Sequence, residues 1–216
     1  MRKNYSDLRR NMVEEQIIAR GIKDERIISA FLEIPREEFV PCEFRDLAYR
    51  DFPLSIGCGQ TISQPYMVAL MTEVLSPLPG EKILEVGTGS GYQSAILAYL
   101  GAKVFTVERI SELAKKAQET LARLGYYVQI KVGDGTLGWK EEAPFTGIIV
   151  TAGVDKIPPP LMEQLAVGGR MVIPLGGRLS QVLTKIEKFA ENNLGKEEIC
   201  SCIFVPLLGK YGYSRQ

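Results

Sequence analysis

The sequence predicts an α/β fold: a doubly wound, mostly parallel sheet with antiparallel strands at its C-terminal end and a helical extension at its N-terminus. Three observations predict it. From Lys82 onward, short apolar runs of strand length alternate with longer runs of helical spacing, the order expected of parallel strands joined by crossover helices. The first of these strands runs directly into Gly87, Thr88, Gly89, Ser90 and Gly91 and then into a helix. The last two strands are separated only by a short turn, as in an antiparallel hairpin.

Residues 6–34 carry apolar positions near helical spacing, Leu8, Met12 and Ile18, then Ile27, Ile28, Phe31 and Leu32. Gly21 and Asp24 divide them into two helices as stop and cap. Pro35 opens a short turn or helix with Arg36, Glu37 and Glu38 before Pro41, and residues 42–60 lack sustained periodicity and read as a surface loop. Met67, Leu70, Met71, Val74 and Leu75 form the buried stripe of the next helix, with Ser63 at its expected N-cap. The alternating region follows as strand 82–86, helix 91–100, strand 103–107, helix 111–124, strand 128–132 and strand 147–151. Pro158, Pro159 and Pro160 lead into a helix through Leu165, because proline suits a first turn where its missing N–H is not needed, and Gly168 and Gly169 end it. Strands 170–175, 181–188 and 197–205 complete the chain, the last two joined by a turn from Asn192 to Gly195. No repeat, low-complexity tract or flexible linker divides the 216 residues, so one domain is expected. Residues 1–60 are its helices and lid-like loop, and 61–216 its ligand-binding core and C-terminal hairpin.

Composition removes whole reaction classes. The chain has no histidine, which excludes imidazole general bases, Ser/His/Asp and Cys/His nucleophilic sites and imidazole-ligated metal centres, so no metal is expected. Lys and Arg total 26 against 26 Asp and Glu, without the basic excess that phosphate-backbone binding leaves, and nucleic acid is not an expected partner. Cys42, Cys58, Cys200 and Cys202 form no CxxC pair and read as free thiols. The N-terminal run MRKNYSDLRRNMVEEQ is too polar for a signal peptide, and no later stretch approaches the ~18 apolar residues of a membrane span. A cytoplasmic protein with no membrane partner is expected, working as a monomer. Trp139 and the three prolines read as structural.

The chemistry concentrates at successive strand ends. Ile83, Leu84, Glu85 and Val86 lead into a GxGxG loop, whose glycines let backbone N–H groups approach a ligand at a helix N-terminus. Glu108 closes the next strand, where a carboxylate can accept both hydroxyls of a ribose. Asp134, between Gly133 and Gly135 after the third strand, can accept from an exocyclic amine such as that of adenine. Each has a plainer reading as tight turn, helix cap or turn former, but the three in order converge on one nucleoside.

On these residues the chain resembles the protein-L-isoaspartate O-methyltransferases, a family of S-adenosylmethionine-dependent methyltransferases built on a Rossmann-like sheet. The resemblance spans nearly the whole chain and rests on GQTISQPYMVALMTEVL at 59–75, LEVGTGSGYQSAILAYLG at 84–101, VGDGTLGW at 132–139, GIIVTAG at 147–153 and GGRMVIPLGG at 168–177. TISQP before a helix is particular to that family, whereas the glycine loop is shared with many methyltransferases. The resemblance implies that Glu85 and Gly87, Thr88, Gly89, Ser90 and Gly91 hold the methionine end of the cofactor. It implies that Glu108 holds the ribose, with Arg109 beside it, and Asp134 with Gly135 the adenine. Gln60, Thr61 and Ile62 match the segment lying over the cofactor, and Ser63 the active-site serine. The FVPL run at 204–207 matches the segment lining the peptide groove, through Val205 and Pro206. GKYGYSRQ after Leu208 matches the family poorly.

The implied substrate is the free α-carboxylate of an L-isoaspartyl residue in damaged proteins and peptides, and its methylation initiates repair through a succinimide. With an ordinary pKa of ~3.5 this group is an anion at neutral pH, so the missing histidines cost the chemistry nothing. Ser63 can donate to one carboxylate oxygen while the other attacks, or can simply cap a helix; the sequence leaves both open. A methyltransferase of the same fold acting on RNA or a small molecule is the nearest alternative. A nicotinamide-dependent oxidoreductase is disfavoured because Tyr92 stands where GxGxxG needs glycine. A non-catalytic nucleoside-binding module is disfavoured by the long irregular segment 42–66 beside the ligand edge.

Overall fold

The computed structural model describes residues 4–191 and 193–214. Helix α1 (Tyr5–Met12) continues through a wide turn at Val13–Ile17 and a tight one at Ile18–Arg20 to Gly21, whose φ of +100° ends the run. Helix α2 (Glu25–Glu33) begins where the Asp24 carboxylate accepts from the Arg26 N–H at 2.9 Å, so stop and cap fall where the sequence puts them. Short 3₁₀ turns follow at Arg36–Phe39 and Cys42–Leu47.

The segment expected to be irregular contains a hairpin. Strands β1 (Leu54–Gly57) and β2 (Gln60–Ile62) pair antiparallel about Gly57, Cys58 and Gly59, at φ of +90°, +53° and +68°. Leu54 and Ile56 point inward and Ser55 outward, a period of two too short to stand out in the sequence. Helix α3 (Pro65–Leu75) follows at once.

The main sheet contains β3 (Lys82–Val86), β4 (Lys103–Glu108), β5 (Gln129–Val132), β6 (Phe145–Val150), β7 (Leu165–Gly177), β8 (Ser180–Ala190) and β9 (Asn193–Cys202), in spatial order β5-β4-β3-β6-β7-β8-β9. The pairs from β5 to β7 are parallel, and β8 and β9 are antiparallel to their neighbours. Helices α4 (Tyr92–Tyr99), α5 (Ser111–Arg123) and α6 (Pro159–Gln164) form the crossovers. The central strands are apolar on both faces because both faces are covered. Ile83 and Ile149 join the N-terminal helices, α3, α4 and α5 in one core, while Leu84, Val86, Ile148 and Val150 join α6 and Trp139 in the other.

Two boundaries differ from expectation. Helix α6 stops at Gln164, and Gly168 and Gly169 lie inside β7, where the pairing with β6 shifts register between Phe145 and Gly147. A Cβ on Gly169 would come within 2.8 Å of the Ala166 carbonyl oxygen, so these glycines serve the irregularity rather than a helix stop. The last strand ends at Cys202, and residues 203–207 leave the sheet to run beside Gly153, whose N–H donates to Val205 O at 2.8 Å and whose carbonyl accepts from Leu207 N at 2.7 Å. Asn192, the expected start of the last turn, lies outside the described residues, as do residues 1–3 and 215–216 of the two terminal runs; Gly195 falls within β9. No helix among the described residues is long and apolar enough to cross a membrane.

Candidate active site

From β3 the chain proceeds to β4 and β5 on one side and returns to β6 and β7 on the other, so a crevice opens at the carboxyl ends of β3 and β6. The glycine loop forms its floor. Gly87 has φ of +98°, and a Cβ there would come within 2.5 Å of Thr151 Oγ1. That hydroxyl donates to the carbonyls of Val86 and Gly87 at 3.0 and 2.6 Å, tying the end of β6 to the loop. Glu108, at the end of β4, accepts from Gly89 N and Ile110 N, both at 2.9 Å, through different oxygens. It therefore fixes the loop and borders the crevice with the same carboxylate.

Two hollows meet over this floor and share Thr61, Gly87, Gly89 and Thr151. The first, about 600 Å³ including its open mouth, is walled by Gln60, Val86, Val107, Glu108, Arg109, Ile110, Gly135, Ala152 and the run Val205 to Leu208. The second, about 410 Å³, is walled by Ile62, Ser63, Val68, Met71, Glu85, Thr88, Ser90, Tyr92 and Gln93. Together they form one open crevice along the carboxyl ends of β3, β4 and β6. The hairpin of β1 and β2, missed in the sequence, is what brings Gln60, Thr61 and Ile62 over the glycine loop.

Glu85 is fully buried. Its Oε2 accepts from Ser94 Oγ, and its Oε1 has no hydrogen-bond partner among the described residues. Burial pushes the carboxyl up to about 8, and the nearby Glu108 charge adds to the shift. An acid left with an unpaired oxygen at the edge of a crevice fits a cationic group, which would complete its hydrogen bonding and restore its charge.

Gly91 and Asp134 do not line either hollow. Gly91 sits at φ of +87° facing α5, where a Cβ would come within 3.1 Å of Leu121, so its glycine serves helix packing. Asp134 Oδ1 accepts from Thr136 N and Thr136 Oγ1 at 2.9 and 2.7 Å, and Oδ2 from Lys210 N at 2.7 Å. Both its oxygens are engaged by the turn and by the C-terminal segment; Gly135 alone borders the cavity from this loop.

Ser63 is not the N-cap of α3. Pro65 takes the first helical position and Gln64 the cap position without a side-chain bond, while the Asp51 carboxylate accepts from Tyr66 N at 3.1 Å. The Ser63 hydroxyl makes no hydrogen bond among the described residues and borders the second hollow beside Glu85. Thr151, Gln93 and Ile110 were missed as site residues. Thr151 could have been found from the sequence, since it follows a parallel strand at the edge where ligands bind.

The sequence model of the protein-L-isoaspartate(D-aspartate) O-methyltransferase family matches residues 7–212. The chain belongs to this family. It is 56% identical over 214 residues to a protein-L-isoaspartate O-methyltransferase from Geobacter metallireducens, covering 99% of both chains. A second, from Staphylothermus marinus, is 47% identical over 223 residues, again across 99% of each. A solved protein-L-isoaspartate O-methyltransferase superposes with a TM-score of 0.83 at 30% identity, over 97% of this chain and 67% of that one. A Plasmodium falciparum protein solved with S-adenosyl-L-homocysteine gives 0.79 at 27% identity, over 95% and 99%. The family match continues to Gly212, beyond the Leu208 at which the resemblance was expected to fade. In the fold, Lys210 N and Tyr211 N bond Asp134 and Thr136, and Tyr213 N bonds Leu207 O, so this segment is fastened to the loop after β5 and to the run that borders the crevice.

Proposed function

We propose that this chain transfers a methyl group from S-adenosylmethionine to the free α-carboxylate of L-isoaspartyl residues in damaged proteins and peptides, initiating their repair through a succinimide. The observation that carries this reading is Ser63, whose hydroxyl has no hydrogen-bond partner among the described residues, at the same hollow as Glu85, one of whose oxygens is likewise unpaired among them. A donor for an incoming carboxylate thus stands beside an acceptor for a cationic cofactor.

S-adenosylmethionine supplies, when bound, a methyl group activated by a sulfonium. Glu85, Gly87, Thr88, Gly89 and Ser90 would hold its methionine end. Glu108 would accept the ribose hydroxyls, since each of its oxygens has a second lone pair beyond the backbone bond it already accepts. Arg109 borders the same compartment, and the Gly135 main chain faces the adenine end. Gln60, Thr61 and Ile62 would lie over the cofactor, and Val205 and Pro206, which border the first hollow with Glu108 and Arg109, would form its wall toward the peptide. Asp134 acts indirectly, through the turn it caps.

Ser63 donates its hydroxyl hydrogen to one oxygen of the substrate carboxylate and leaves the other free to attack in line. The acceptor carboxylate is already an anion, so taking up the methyl group that the cofactor would supply requires no proton transfer by Ser63. The protein's task is orientation, worth up to about 7–11 kcal/mol in well-aligned systems, and exclusion of water from the carboxylate. No general base is called for, in keeping with a chain that has no histidine.

We further propose a cytoplasmic monomer without a nucleic-acid partner. Exposed free thiols at Cys42 and Cys58 suit a reducing compartment, and balanced charge offers no field for a phosphate backbone. The functional test follows an isoaspartyl peptide by reverse-phase chromatography. Conversion to the normal aspartyl peptide should require both protein and S-adenosylmethionine. Absence of conversion with folded, cofactor-binding protein overturns the proposal.

A further inference from the structure

Arg36 looked in the sequence like one charge among several in an Arg-Glu-Glu turn. It is fully buried. Its Nε donates to Ala48 O and one terminal nitrogen, Nη2, to Ser63 O, both at 2.7 Å. The guanidinium lies 4.9 Å from the centre of the Tyr92 ring, which is itself held edge-on by Phe31 and Phe39 and borders the second hollow. The other terminal nitrogen, Nη1, is buried with no hydrogen-bond partner, and Arg36 makes no ion pair among the described residues.

A buried guanidinium with no carboxylate in ion-pair contact is costly; desolvation lowers this one to about 10 against the opposing pull of Tyr92, Tyr49 and the Asp51 charge, so it stays charged at neutral pH. Bridging two carbonyls does not by itself require a cation. The position of one of those carbonyls is informative, because it belongs to the residue whose hydroxyl faces the ligand hollow. Ser63 lies between the end of β2, where Ile62 pairs with Leu54, and the first turn of α3, where Val68 N bonds Gln64 O, and the bond from Arg36 is the one made to the Ser63 peptide oxygen itself. A planar fork reaching both Ala48 and Ser63 fixes that peptide from beneath and sets the direction of its side chain.

We infer that Arg36 is the positioning residue of the methyl-acceptor site, holding the Ser63 peptide so that its hydroxyl meets the isoaspartyl carboxylate. The inference rests on the reading of Ser63 given above. Arg36 acts through Ser63 and not on the cofactor, so its loss falls on peptide binding and turnover.

The test is a double-mutant cycle between Arg36→Met and Ser63→Ala, with Arg36→Lys as the conservative variant. Arg36→Met should raise the peptide KM about 10-fold, the scale of one hydrogen bond to a charged group, while S-adenosylhomocysteine affinity stays within about 3-fold. Arg36→Lys should recover part of that loss. In the Ser63→Ala background the Arg36→Met effect on KM should shrink to less than about 2-fold. An undiminished effect in that background overturns the inference, and so does equal loss of peptide and cofactor affinity. If Ser63→Ala alone changes nothing, it is the reading of Ser63 that fails. Should Arg36→Met not fold, the unaltered protein labelled with 15N-arginine decides. The Arg36 Nε–H signal should shift when isoaspartyl peptide is added to the S-adenosylhomocysteine complex and stay put with the aspartyl peptide; no difference between the peptides overturns the inference.

Discussion

Replacing Ser63 by alanine separates chemistry from architecture, because the structure removes the architectural role. The hydroxyl has no partner among the described residues, and Asp51 supplies the carboxylate that bonds Tyr66 N in the first turn of α3. Deleting it leaves no buried group unsatisfied in the free protein, so the loss is felt only when a carboxylate arrives. A hydrogen bond to a charged group contributes about 1.5–3 kcal/mol, and about 1.4 kcal/mol is tenfold. The expected fall in kcat/KM is therefore about 10- to 150-fold, below the ~1000-fold upper range for a donor to a developing oxyanion, since this carboxylate is charged before it reacts. Thermal stability should hardly move. Loss of a true cap, about 1 kcal/mol, would lower Tm by about 2–4 °C in a chain of this size. The assay pairs steady-state methyl transfer to an isoaspartyl peptide with a melting curve. Unchanged kinetics with intact folding refutes the orienting role, and a cap-sized fall in Tm refutes the structural argument.

Glu85 makes stability and binding depend on pH. Its folded carboxyl is raised to about 8 against 4.5 unfolded, so the folded protein holds the extra proton. This contribution is full below about 4.5 and is lost as pH rises through 8; the free protein's Tm should decline across that window, and Glu85→Gln should flatten the decline. Cofactor binding at pH 7 should release a proton, visible as a dependence of calorimetric heat on buffer ionisation enthalpy; no buffer dependence contradicts the pairing of Glu85 with a cation. Gly91→Ala should destabilise by about 1–3 kcal/mol, from its left-handed backbone and the Leu121 contact, yet leave the S-adenosylhomocysteine affinity of folded protein unchanged. Asp134→Ala should free the Lys210 amide, read as faster hydrogen exchange in a C-terminal fragment; unaltered exchange would mean that the contact at 2.7 Å does not hold that segment.

What the sequence made legible was local. The strands from Lys82 to Val150, their crossover helices and the glycine loop each announce themselves within a few residues, through apolar runs, spacing and glycine. So does the convergence of Glu85, Gly87 and Glu108, because parallel topology brings successive strand ends together. The start of α3 was misplaced in the sequence: Ser63 is a good capping residue type, but Pro65 takes the first helical position, which makes Gln64 the cap and frees Ser63. What stayed hidden was non-local. The partner of Asp134 is the main chain of Lys210, and the burial of Arg36 depends on Ala48, Ser63 and Tyr92 closing around it. The β1–β2 hairpin escaped notice because two short strands offer too few alternations and because Cys58 takes a positive φ usually left to glycine.

The most direct measurement incubates the purified protein with S-adenosylmethionine radiolabelled at the methyl group and three acceptors: an L-isoaspartyl peptide, its matched L-aspartyl peptide and bulk tRNA. Base-labile methyl ester should accumulate on the isoaspartyl peptide alone. Label on the aspartyl peptide or the tRNA, or on none of the three while S-adenosylhomocysteine still binds, would contradict the account and move the acceptor elsewhere.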